Sequence, residues 1–214
     1  MITETLVVLA VIHAIELIVD AVGELIDMWG SRTLPESAQA ELSDTDKEKI
    51  EETKDLIQQC FGDDVIERIR RSSNKERINL MVDFADRLAK EYGLDIDVDV
   101  TVNNVTNCGA YDWKLKKAEF NIALLMMDGG NEHFEYCVRE TIDTIVHELR
   151  HAVQHQAIEG RGFWNVDEER KTLWGNNMLP GNYIGGEVDL RRYASQPIEK
   201  DAFTFTALVM EGVK

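Results

Sequence analysis

The chain has 214 residues, 44% hydrophobic and 29% charged, proportions that suit one folded domain with or without a helical appendage. Its charge balance is less ordinary, with 40 acidic against 23 basic residues and a formal charge of −17. Such a surface repels phosphate backbones and anionic lipid, which argues against general nucleic-acid binding and favours basic partners only weakly.

The N-terminus, "MITETLVVLAVIHAIELIVDAVGEL", imitates a targeting segment. Its first charge is Glu4 rather than a basic residue, so no secretory signal is expected. A membrane span takes about 20 apolar residues, and His13, Glu16 and Asp20 interrupt this run. With Glu24 and Asp27 they recur at helical spacing and form one polar stripe on an otherwise apolar helix. A solvated stripe accounts for them better than a metal site. The helix is expected to pack against the domain, a partner or a second copy of itself.

A loop containing Pro35 follows, and Thr45 with Glu48 reads as a capping box opening a helix that ends near Gly62. "DDVIERIRR" reads as a short helix, and Ser73 with Glu76 as a second capping box. The helix after it carries Ile78, Met81, Phe84, Ala85, Leu88 and Tyr92 on one face and stops at Gly93. The period then changes from 3.6 to 2. In "DIDVDVTV", Ile96, Val98, Val100 and Val102 alternate with Asp95, Asp97, Asp99 and Thr101, a strand with one wet face or an edge guarded by charge. "CGAYD" and "AEFNIALLM", joined by "WKLKK", read as a hairpin of strands.

A loop with Gly129 and Gly130 leads into a long helix from about Glu132 to Ile158. A long loop to Ser195 and a last helix, with Pro197 in its first turn, complete the order. The reading is α+β: a helical N-terminal region over residues 1–94, then a domain over 95–214 with a small, mainly antiparallel sheet. Three cysteines, Cys60, Cys108 and Cys137, form no CxxC pair and leave an odd thiol under any disulfide pairing, which fits a reducing, cytoplasmic setting.

The long helix contains "HELRHAVQH", with three of the chain's five histidines. His147 and His151 are four apart and share one helical face, so their imidazoles can converge on one ion. Glu148 lies about 100° round the helix, where it can reach an ion-bound water without ligating the ion. Two neutral ligands, an open position and a nearby base are what zinc hydrolysis needs. His155 lies about 12 Å along the axis from His147, too far for one ion, and is expected exposed or at a cleft rim.

No histidine follows His155, so a downstream third ligand is a carboxylate, and Glu187, Asp189, Glu199 and Asp201 are the candidates. Glu199, on the first turn of the last helix, has the most rigid mount. "HELRH" followed by "PIEKDAFTF" resembles the glutamate zincins, most closely the compact ImmA/IrrE-type proteins and related small bacterial and phage zincins. The resemblance covers about Cys108 to Met210. It implies a zincin-like fold with an active-site helix and a ligand helix, and zinc held by His147, His151 and Glu199. It also implies peptide-bond hydrolysis with Glu148 as the base.

The family's second acidic position falls on Asp201, while Phe203 stands where an Asn or Asp usually supports a ligating histidine. Substrate is expected as an added strand on a sheet edge, either "GAYD" or "AEFNIALLM". Tyr193 and His155 are the candidates for contacting the substrate or transition state, ahead of Tyr183, Arg191 and Arg192. Trp164, Trp174 and "LPGNYIGG" suggest either a specificity lid or an aromatic anchor. The expected function is a zinc metallopeptidase acting on a specific intracellular protein. The alternative is a non-catalytic binding or regulatory module with a degenerate site.

Overall fold

In a computed structural model the described residues are 40–102, 108–162, 164–186, 188–211 and 213. The chain divides into Met1–Pro35 and Glu36–Lys214, and everything below concerns the second unit. The N-terminal segment expected to form an apolar helix with a polar stripe, and Glu187, lie outside the described residues.

Three helices come first: α1 (Asp44–Phe61), α2 (Val65–Arg71) and α3 (Asn74–Glu91). The capping box of α1 is Ser43 with Asp46, two residues earlier than Thr45 with Glu48. Both pairs have the right spacing, but Asp46 is also drawn into a buried ion pair, which fixes the start. The second box, Ser73 with Glu76, opens α3 as its sequence requires. Met81, Phe84, Ala85, Leu88 and Tyr92 are buried along the expected face.

The sheet has three strands, β1 (Asp97–Thr101), β2 (Gly109–Asp112) and β3 (Lys117–Asn121), in the order β1-β3-β2. It is mixed rather than mainly antiparallel, because β1 pairs parallel to β3 and only β2 pairs antiparallel to it. The period-2 pattern marks strands but not their direction. "AEFNIALLM" is a strand only to Asn121; Ala123–Met126 turns into a 3-10 helix that buries Leu125.

The long helix is α4 (Phe134–Ile158), whose Val138, Ile142, Ile145, Val146, Leu149 and Val153 are buried in the core. The expected long loop holds two helices, α5 (Glu168–Asn177) and α6 (Leu190–Ser195). Asp167 caps the first, accepting from the Arg170 N–H at 2.8 Å, and Asp189 caps the second. Trp164 and Trp174 are 8% and 2% exposed, so both are core anchors rather than lid residues. The last helix, α7 (Pro197–Met210), has Pro197 in its first turn and packs along α4. Residues of α1, α2, α3, β3, α4, α5 and α7 share one apolar core. No helix among the described residues is long and apolar enough to cross a membrane.

Candidate metal centre

The four-residue spacing puts His147 and His151 on one face of α4, with their Nε2 atoms 3.0 Å apart. Glu199, on the first turn of α7, brings its Oε2 to 3.3 Å from the His147 Nε2 and 3.4 Å from the His151 Nε2. These three ligand atoms lie within 4.8 Å of one another, a grouping that can hold a metal ion. A tetrahedral ion with bonds of about 2.0–2.1 Å holds its ligands about 3.3 Å apart, so the observed separations fit one. The Glu199 side chain is 1% exposed and its Oε2 has no hydrogen-bond partner. A buried carboxylate oxygen left unpaired between two imidazoles is the arrangement a cation completes.

The carboxylate and the two imidazoles also attract one another strongly. Burial works against the Glu199 charge, but the two histidines outweigh it and hold the carboxyl well below the usual range. Burial likewise opposes a charge on His151, yet the Glu199 carboxylate pushes that imidazole up to about 9.

Glu148 is adjacent but separate. Its Oε2 accepts the Tyr111 backbone N–H at 2.9 Å, from the edge of β2 that faces away from β3. That close approach explains Gly109, where a Cβ would lie 2.6 Å from the Thr144 methyl of α4.

The structure brings His147, His151 and Glu199 together and leaves Asp189, Asp201 and His155 outside that group. Asp201 pairs with Arg150, whose Nε donates to its Oδ2 at 2.8 Å, and with Arg170. Asp189 is occupied as a helix cap. His155, expected exposed or at the rim, is 5% exposed instead. The Tyr111 hydroxyl lies 3.0 Å from its Nδ1 and the Trp113 ring packs against it. Burial lowers its pKa.

Tyr193 lies beside Glu199 with Tyr183 and Phe203 packed on its ring. Burial and then the Glu199 charge push its phenol far above the ordinary value. Compared with protein families, curated proteins and solved structures, the chain matches none.

Three contributors were hidden in the sequence. Tyr183, ranked behind Tyr193, donates its hydroxyl to the Glu199 Oε1 at 2.7 Å. Its loop is pinned by Gln196, whose amide accepts from the Ile184 N–H and donates to the Ile184 carbonyl. Gln154 lies 2.7 Å from the His151 Nδ1. Arg150, the second variable residue of "HELRH", is wholly buried among Asp46, Asp201, Trp164 and Phe205. A charged residue on the core-facing side of an apolar helix was the available signal for Arg150. Nothing local distinguishes Tyr183.

Proposed function

We propose that the chain is a zinc-dependent metallopeptidase that hydrolyses peptide bonds of a protein substrate. The observation that carries this is the meeting of His147, His151 and Glu199, with Glu148 held beside them but outside the ligand set. Two nitrogens and one carboxylate oxygen are a donor set that suits zinc. When bound, zinc supplies Lewis-acid polarisation of the scissile carbonyl and lowers the pKa of water.

The protein's own groups do the rest. Glu148, oriented by the Tyr111 N–H, takes a proton from the attacking water and passes it to the leaving amine. The Tyr193 phenol, beside Glu199, is the donor for the developing oxyanion, while the Tyr183 hydroxyl is committed to the Glu199 Oε1 and steadies that carboxylate. The outer edge of β2, which meets Glu148, takes an extended peptide as an added strand. All three cysteines are unpaired, which supports a cytoplasmic setting.

The test is Glu148→Gln. The variant should keep zinc, measured by elemental analysis, while turnover falls by several decades, on the order of 10³-fold or more. Cleavage products seen by proteomics only in cells expressing the wild type support the peptidase. Identical profiles, with both forms capturing the same partner, would point to the binding module.

A further inference from the structure

Gln154 and Gln156 are two buried amides on α4, two residues apart, at 0% and 3% exposure. Gln156 serves the fold: its Oε1 accepts the Asp95 N–H at 3.0 Å and its Nε2 donates to the Gly93 carbonyl at 3.2 Å. Gln154 reaches the site. Its Nε2 donates to the Ile198 carbonyl at 2.9 Å and to the Asp201 Oδ2 at 2.7 Å, both in the first turns of α7 that carry Glu199.

Those two oxygens fix which way the amide points. Turned over, it would set its own oxygen against both acceptors, so the Oε1 must face His151. The 2.7 Å contact is therefore His151 Nδ1–H donating to Gln154 Oε1, which leaves the Nε2 lone pair for the ligand cluster. His147 has no such support. Its Nδ1 is buried without a hydrogen-bond partner, and the Phe203 ring packs against the imidazole with centroids 4.6 Å apart.

We infer that Gln154 is the positioning residue of this centre. It sets the tautomer and ring orientation of His151, and the same amide registers α4 against the turn bearing Glu199. It rests on the metal reading above. The two ligand histidines are thus held unequally, His151 through Gln154 and His147 with no hydrogen-bond partner at its Nδ1.

The experiment is zinc affinity by chelator competition on wild type, Gln154→Met and Gln156→Met, with thermal unfolding of each. Gln154→Met keeps the chain length and removes the amide. It should weaken zinc about 10- to 100-fold, the usual effect of losing a partner behind a ligand. Gln156→Met should lower the melting temperature and leave zinc affinity within twofold of wild type. Equal affinity in all three proteins, or equal losses in both variants, overturns the inference alone.

Wild type that takes up no zinc overturns the metal reading and this inference with it. A measurement on zinc-loaded wild type holds even if Gln154→Met does not fold. The hydrogen-bonded His151 Nδ1–H proton should resonate downfield of that of His147, and the reverse order overturns the assignment.

Discussion

Glu199 and Asp201 sit two residues apart on the first turns of α7, yet their carboxylates face opposite tasks. Glu199 points at two imidazoles; Asp201 points at two guanidinium groups and the Gln154 amide. Glu199→Ala should therefore strip the metal while leaving the fold intact. Asp201→Ala should cost about 3–5 kcal/mol of stability, because it leaves a buried arginine short of its counter-charge. Urea unfolding and elemental analysis of the two variants separate these outcomes. A folded Asp201→Ala that has lost all zinc, beside a Glu199→Ala that keeps it, would reverse the assignment of ligand and support.

At the scale of elements, the site depends on how closely β2 rides on α4. Gly109→Ala drives a methyl group into Thr144, so β2 must move and the Tyr111 N–H is pulled off Glu148. A misplacement of about 1 Å can cost roughly 10²-fold in rate. The expected result is a cleavage rate lowered by that order with zinc content unchanged, and an unaltered rate would show that β2 does not position the base.

The join between α1 and α4 is electrostatic and carries a pH signature. Burial opposes the Asp46 charge, but Arg150 and Arg170 outweigh it and lower the carboxyl from 3.8 to about 2. A depressed carboxylate stabilises the fold above its unfolded pKa, and that stability is lost as pH falls from about 4 through 2. It amounts to about 2 kcal/mol. Asp46→Asn should flatten the stability profile over that window, read by denaturant unfolding at each pH.

Across the whole molecule, what could be read from the sequence was what local spacing encodes. His147 and His151 announce themselves by a separation of one helical turn, and the face of α3 by its period. Ser73 with Glu76 defines a helix start by itself. What stayed hidden depends on partners far along the chain. Asp46 wins over Thr45 and Glu48 because Arg150 and Arg170 lie 104 and 124 residues away. The parallel pairing of β1 with β3 is likewise a tertiary choice, and Tyr183 meets Glu199 only through the pinning of its loop by Gln196.

Arg150, Arg170, Asp46 and Asp201 form a neutral quartet, two charges of each sign, that closes α1, α4, α5 and α7 on one another. Glu199 is mounted on that closed framework. Unlike a domain whose metal is its core, this one is expected to fold without the ion. Chelation should lower the melting temperature only by the mass-action amount set by zinc concentration over Kd, with one cooperative transition before and after. Calorimetry with and without chelator checks this, and collapse of the chelated protein would contradict it. On the proposed reading, occupancy would then follow the free zinc of the surroundings, and the chain would pass between silent and active forms without unfolding.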